Sequence, residues 1–458
     1  MFSQTTKTEI RDIFQLSIPI IISQVGYMLM GFSDNLMVGS VSPAALAACG
    51  VSNSVFFLVV VIGIGGLSVL APMVSKGKEE GLHAHCGSCL KAGLAVSFLY
   101  SFLIIFFLSL FIYYFDLLGQ KPDVALLSKE YLAIITISVL PMMLFMALKQ
   151  FTDGLENTKV GMYVSLSGLV VNVLLCYVFI YGHFGIPAMG LNGAGLATLL
   201  TRVFMFAAMY WYVKTSKDFI QEMQGFTTSI AKVKDDCLQL LQKGLPAGFQ
   251  MLAECSAFCI AAIMVGWIST ADLAAHQIVL SWAGLSYMIS SGISIAVSIR
   301  VGAGLGAKSK QRILLSTYVG MGIVVIYECL TLGGFVIGRE YLAQLFTIDP
   351  EVMAIAPTLM ILMGLFQLPD GIQVVWLGAL RGLLDVKLPT YIVLFAYTGV
   401  CLPLAYLLAF TFGFGTKGIW FGLVIGLLIS AILNSFRFFW FTKRLKFEVE
   451  ITKEEVVD

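Results

Sequence analysis

Apolar residues run along this chain in long continuous stretches, broken by short segments where charge, glycine or proline collects. Between those breaks the stretches fall near 12–38, 48–73, 92–115, 127–148, 160–181, 190–213, 243–266, 276–299, 313–337, 353–379, 388–411 and 418–441. Each can cross a bilayer core as a helix, which takes ~20 apolar residues. Barrel strands would alternate apolar and polar positions over ~10 residues, and these stretches do not. The pattern predicts an all-α integral membrane protein with twelve transmembrane helices.

Basic residues sort against this frame. Of the 28 lysines and arginines, 23 fall at the chain ends and at connections after even-numbered spans, four at connections after odd-numbered spans, and Arg202 lies inside a span. Loops rich in Lys and Arg stay in the cytoplasm, so both termini are expected there, in a multi-pass protein of the cell (inner or plasma) membrane. An even number of spans requires the same. The apolar stretch after Lys7 and Arg11 continues beyond signal-peptide length without an Ala-x-Ala site and is expected to be kept as the first span.

Composition sharpens the class. Only 12% of the 458 residues are charged and mean hydropathy is +0.91, where a soluble domain carries about 25% charge. A formal charge of +1 supplies no basic field for nucleic acid. The nine cysteines sit mostly inside apolar stretches, where a thiol behaves as a small hydrophobe, and imply no disulfide framework.

The longest polar connection, 214–242, divides the chain into 1–213 with spans 1–6 and 243–458 with spans 7–12 and a short tail. The halves repeat. At an offset of 227 residues Pro19 meets Pro246, Met37-Val38-Gly39 meets Met264-Val265-Gly266, Leu46-Ala47-Ala48 meets Leu273-Ala274-Ala275, and Gly65 meets Gly292. At 228, Pro141 meets Pro369, Gly154 meets Gly382, Lys159 meets Lys387 and Gly190 meets Gly418. Because six spans is an even number, the copies insert in the same orientation, as in transporters whose substrate path runs between two bundles.

Three carboxylates interrupt the apolar stretches: Asp34 in span 1, Glu254 in span 7 and Asp370 in span 10. A charge at the bilayer centre costs at least ~2.5–3.5 kcal/mol, so retained acids point to function. None has Lys or Arg within a helical turn in sequence, which leaves a distant partner, a proton or a metal cation to balance it. Pro369 frees a backbone carbonyl and Gly371 loosens the same turn, so Glu254 and Asp370 are candidate Na⁺ ligands; sharing one proton is the alternative. Asn172 and Asn192 are expected to complete a polar pocket with Asp34. Glu328, a fourth buried acid in span 9, is taken as structural or boundary-placed, and Lys149, Asp153, Glu156 and Lys159 as a solvated loop with ion pairs. His83, His85, Cys86 and Cys89 have near-metal spacing but lack a second ligand cluster, and are taken as a chance grouping. Gly302-Ala303-Gly304-Leu305-Gly306 has no strand before it and no Gly-Lys-Ser/Thr ending, so it is helix termination rather than a phosphate loop. No Ser-His-Asp or HExxH signature occurs, so no enzymatic activity is expected.

The segments Gly31-Phe32-Ser33-Asp34-Asn35-Leu36-Met37-Val38-Gly39, Phe151-Thr152-Asp153-Gly154, Thr158-Lys159, Ala274-Ala275-His276-Gln277, Ser298-Ile299-Arg300-Val301-Gly302 and Leu380-Arg381-Gly382 carry a resemblance. In that order, over almost the whole chain, the sequence resembles the multidrug and toxic compound extrusion (MATE) family, in its NorM-like branch. The resemblance implies a V-shaped pair of pseudo-symmetric six-helix lobes that exports lipophilic, often cationic drugs by antiport with Na⁺ or H⁺, without another cofactor. It implies that Asp34 is the acid of the first lobe's site, with Pro19 as the bending point of span 1, and that Glu254 and Asp370 are the cation-binding pair of the second lobe. Phe366 and Gln367 flank that pair as candidate pocket residues. Two positions depart from the family pattern: Phe366 where relatives can carry tyrosine, and Cys176 where they can carry asparagine. A lipid-linked-oligosaccharide flippase of related architecture is the alternative; it would need arginines in its cavity, and Arg202 is the one basic residue placed inside a span. A monomer in the lipid bilayer, with small organic cations as its other partners, is expected.

Overall fold

The computed structural model describes residues 2–224 and 230–445. It is helical throughout, and no strand occurs among the described residues. In the first half, α1 (Phe2–Gly39) is followed by α2 (Pro43–Leu67), α3 (Leu70–Glu79), α4 (His83–Tyr113), α5 (Pro122–Ile137), α6 (Val139–Gly154), α7 (Thr158–Tyr181) and α8 (Gly190–Thr215). A short α9 (Ile220–Gln224) leads to the second half: α10 (Ile230–Gly266), α11 (Thr270–Gly306), α12 (Lys310–Gln344), α13 (Pro350–Gly382), α14 (Lys387–Leu394), α15 (Leu402–Tyr406) and α16 (Gly415–Arg444). Eleven of these helical stretches are long and apolar enough to cross a membrane, and α5 with α6, bent by 41°, makes the twelfth.

The sequence pattern did not show two of the breaks. Proline lacks the N–H that would bond the carbonyl four residues earlier. Pro72 therefore leaves the Ser68 carbonyl without its helical donor, and span 2 divides into α2 and α3 at residues 68–69. Pro141 does the same to Ile137, and span 4 divides at Ser138. Pro369, the counterpart of Pro141, sits inside the unbroken α13, and Pro19 inside the unbroken α1. The polar connection is also more helical than its composition predicts, since α10 begins at Ile230 rather than near 243.

Caps repeat with the sequence. Ser42 accepts from the Ala45 N–H and, 227 residues on, Ser269 accepts from the Asp272 N–H, each starting a helix. The chain leaves α3 through Gly81 and α11 through Lys308, both left-handed (φ +71° and +51°) and 227 apart. In each case the next N–H reaches back five residues, Leu82 to Gly77 and Ser309 to Gly304, both at 3.0 Å. The ends of α6 and α13 match as well, at Glu156 (φ +67°) and Leu384 (φ +59°), 228 apart.

The halves meet through exchanged contacts. Ser75 on α3 donates to the Ile299 carbonyl on α11 at 2.8 Å, while Gly302 on α11 lies against Pro72 on α3. An offset of 227 turns each of these pairs into the other, which is the mark of a pseudo-two-fold axis. Likewise Gly292 of α11 packs on Ile21 of α1, and Gly65 of α2 packs on Gly248 of α10. A buried apolar cluster joins Ile13, Leu16, Ile20 and Ala71 to Ile293, Val297, Ile299 and Phe438. These contacts lie toward the end of the bundle where α1 begins and α16 finishes, called the basic end below.

Candidate functional site

Two polar centres form, one in each half. In the first, α1 buries Asp34 to 5% exposure. The Cys176 thiol of α7 donates to its Oδ1 at 3.1 Å and the Thr198 hydroxyl of α8 to its Oδ2 at 3.2 Å. Asn172, one turn before Cys176, faces the same carboxylate outside hydrogen-bonding geometry, and both its amide atoms are buried without a partner. Cys176 thus supplies a weak S–H donor to the carboxylate. Asn192 does not join this group: its amide donates to Glu130 at 2.7 Å, nearer the start of α8. Thr198 was missed in sequence because threonine inside an apolar helix carries no signal of its own.

Arg202 is a distant cation of the kind expected for Asp34. Its charge acts on Asp34 across the lobe, while its guanidinium donates to Ser138 at 2.6 Å and lies 4.8 Å over the Phe56 ring. It faces Asp34 from α8, 168 residues away in sequence, beyond the reach of any helical-spacing argument.

The second centre brings Glu254 of α10 together with Asp370 of α13, whose charges act on each other. Gln250 donates to Glu254 Oε1 at 3.2 Å and Gln373 at 3.5 Å; Gln373 also donates to the Tyr397 hydroxyl at 3.3 Å. Tyr287 of α11 and Tyr397, between α14 and α15, are in electrostatic reach of both carboxylates. Two phenols from other helices therefore stand by the pair, whereas Phe366 on α13 has a ring without a hydroxyl. Phe366 packs edge-on against Phe258 at 5.8 Å and Trp420 at 5.6 Å. Gln367 points elsewhere, donating to the Ala283 carbonyl of α11 at 3.2 Å.

Glu328 belongs here too. It is fully buried on α12, takes hydrogen bonds from Ser290 and Thr331, and lies against Gly371, where an added Cβ would come 3.0 Å from its Oε1. Its charge acts on Asp370, so the second half holds three carboxylates rather than two. Arg381, in the last turn of α13, acts on Glu254 at longer range. Helices long enough to span also carry Arg300 and Arg381, along with Arg11, Arg312, Arg339, Arg437 and Arg444. The ion pairs of the described residues include none of Asp34, Glu254, Asp370 and Glu328. Gln373 Oε1 is also buried without a partner. Carboxylates, an unpaired amide oxygen and phenols form the oxygen-rich set that a hard cation takes.

At the basic end, Arg300 of α11 closes the seam between the halves. It binds Glu9 at 2.6 Å, Asp12 at 3.3 Å and Glu156 at 3.2 Å, and Ser316 donates to Glu9 at 2.7 Å. Arg312 meets Glu79 at 2.8 Å across the same seam. Burial opposes charge on Glu156, but Lys78 and Arg300 outweigh it and hold the carboxyl below its ordinary range. Lys149 and Asp153, expected in a solvated loop, instead form a buried pair at 2.6 Å within α6.

A family model, MatE, matches twice, over residues 19–178 and 246–407, so the two matches fall on the two repeats. The chain belongs to the MatE family. This MatE chain is 35% identical over 443 residues to the probable multidrug resistance protein NorM of Agrobacterium fabrum (strain C58 / ATCC 33970), covering 94% of this chain and 93% of that one. It is 33% identical over 447 residues to the multidrug resistance protein MdtK of Yersinia pseudotuberculosis serotype O:1b (strain IP 31758), covering 95% and 96%. Its fold matches the outward-facing conformation of a multidrug resistance MATE family transporter of the MOP superfamily, with a TM-score of 0.87 over 96% of this chain and 97% of that one, at 19% identity.

Proposed function

We propose that this MatE protein is a multidrug efflux antiporter that exports lipophilic organic cations in exchange for Na⁺ or H⁺. It works in the inner membrane as a monomer, with the basic end in the cytoplasm. The observation that carries this reading is the pair of carboxylate centres, buried Asp34 in one half and half-buried Glu254 with buried Asp370 in the other, none held in an ion pair among the described residues. The names of the NorM and MdtK relatives supply the substrate class.

Coupling follows from differential affinity between two states of the halves. The halves touch at the basic end, which leaves the path between them to open at the other, outer end. A cation on Glu254, Asp370 and Gln373, or a proton on Asp34, neutralises a buried charge and lowers the cost of keeping that centre dry. The drug is then released outward, and a cationic drug arriving from inside competes for the same negative charge. Arg202 and Arg381 each act electrostatically, without direct contact, on a carboxylate of their own half, which speaks against a site for a large anionic lipid headgroup.

The test is efflux of an organic cation from proteoliposomes under an imposed Na⁺ gradient and, separately, a pH gradient. Wild type should respond to at least one, and Asp34→Asn and Glu254→Gln should each lose it by tenfold or more, ~1.4 kcal/mol of coupling. Wild-type efflux in both variants would overturn the mechanism, and headgroup translocation without drug efflux would favour a flippase.

A further inference from the structure

His85, Cys89 and Asp236 are brought together at the basic end, away from both carboxylate centres. His85 and Cys89 are four apart on α4 and so share one face of it, and Asp236 comes from the first turns of α10. One donor atom from each lies within 4.8 Å of the other two. His85 Nε2 is 3.7 Å from Cys89 Sγ, and His85 Nδ1 is 3.5 Å from Asp236 Oδ2. Ser88 donates to the same Asp236 oxygen at 2.5 Å.

The internal repeat shows what is unusual about this cluster. An offset of 227 places Asp236 opposite Glu9, Cys89 opposite Ser316, His85 opposite Arg312 and Met73 opposite Arg300. Glu9 and Asp236 are buried alike, at 5% and 4% exposure. The Arg300 guanidinium binds Glu9; Met73 stands at its counterpart position and offers no charge. One repeat balances its buried carboxylate with arginine; in the other that arginine's place holds methionine, and an imidazole and a thiol from α4 stand by the carboxylate instead.

We propose that His85, Cys89 and Asp236 bind one divalent, borderline-soft metal ion of the Zn²⁺ class. Tetrahedral Zn²⁺, with bonds of about 2.3 Å to sulfur and about 2.0 Å to nitrogen, sets those two atoms about 3.5 Å apart, close to the separation here. The thiolate, imidazole and carboxylate are three ligands, with a fourth position for water. Ser88 holds the carboxylate in place from outside the ligand set, the usual support of such a site. His85 is about one-third exposed at its side chain, which gives the ion a way in. Binding displaces the thiol proton and ties the start of α10, the helix that carries Glu254, to α4 of the first half.

The experiment titrates the purified full-length protein in detergent with Zn²⁺ against a chromophoric chelator, and with Co²⁺ by absorption spectroscopy. Wild type should take up one equivalent more than His85→Ala and show a thiolate-to-Co²⁺ charge-transfer band. Cys89→Ser and Asp236→Asn should each weaken Zn²⁺ binding by ~10–100-fold. Cys89→Ser should abolish the band, whereas Cys86→Ser, whose thiol is turned to the Val74 carbonyl, should keep it. Zn²⁺ should raise the melting temperature of wild type and Cys86→Ser, and not that of Cys89→Ser. Circular dichroism confirms that each variant is folded. Equal Zn²⁺ uptake by wild type, His85→Ala and Cys89→Ser would overturn the site, as would a cobalt band that survives Cys89→Ser.

Discussion

Glu156 shows how one residue can hold an unfavourable backbone in place. Its left-handed φ of +67° is a conformation that glycine usually takes at a helix end, and its 228-residue counterpart Leu384 shares it. At Glu156 the side chain is anchored by Lys78 at 3.4 Å and Arg300 at 3.2 Å. Because its folded pKa is lowered, the carboxylate stabilises the fold above its unfolded pKa of ~4.3, and that contribution disappears as pH falls through the lower folded value. Glu156→Gln should therefore melt below wild type at pH 7, by about 1 kcal/mol after screening, with the gap narrowing as pH falls below the ordinary glutamate range in detergent thermal unfolding. A gap that does not change with pH would remove the charge from the explanation. Gly371 makes a second case: a Cβ there would come 2.7 Å from Val324 and 2.9 Å from Glu328 Cγ. Gly371→Ala should cost ~1–3 kcal/mol by overpacking and displace Glu328 from Asp370, lowering Na⁺ or H⁺ affinity in the same efflux assay.

Among elements, the crossing of α2 and α10 carries much of the seam. A Cβ on Gly244 would lie 2.3 Å from the Gly66 carbonyl, and one on Gly248 2.4 Å from the Ile62 carbonyl. Backbone cannot yield as a flexible side chain can, so Gly248→Leu should force the halves apart at the basic end. A cysteine at Ser75, buried against α11, reports this: a maleimide should label it slowly with Gly248 present and at least tenfold faster in Gly248→Leu. Unchanged labelling would place the hinge elsewhere. Hydropathy and repetition marked these helices because lipid imposes long apolar segments and a duplicated gene repeats its punctuation. Helix starts at Pro43 and Thr270, or Pro122 and Pro350, keep the sequence offsets. The breaks before Pro72 and Pro141 were not legible, since Pro19 and Pro369 show that the same residue can also be accommodated. Asp34, Glu254 and Asp370 were visible as charges in apolar surroundings. Thr198, Tyr287 and Tyr397 were not, and Arg202 was visible as a charge but not as a neighbour of Asp34, because tertiary packing alone brings them to those acids.

For the molecule as a whole, packing obeys the pseudo-two-fold and charge does not. Asp34, Glu254 and Asp370 have Ala261, Tyr27 and Met142 as counterparts, so each half was given a different centre on one scaffold. The seam is uneven in the same way, since Arg300 alone gathers Glu9 and Asp12 of α1 and Glu156 of the α6–α7 turn onto α11. Removing that guanidinium leaves Glu9 buried without its partner, beside the partly exposed Asp12 and Glu156. Losing one partner of a buried pair costs about 3–5 kcal/mol, and here the whole cost falls on the state in which the basic end is closed. When the basic end opens, water reaches the same carboxylates and the penalty disappears. Arg300→Ala should therefore shift the population toward the open basic end by at least tenfold, read as faster labelling of a cysteine at Ser75. Arg300→Lys, which keeps the charge and loses the bidentate fork, should fall between the two. Efflux should drop in proportion, while drug binding measured without a gradient should be kept or strengthened. Were Arg300→Ala to abolish binding and leave labelling unchanged, Arg300 would act through the carboxylate centres rather than the seam.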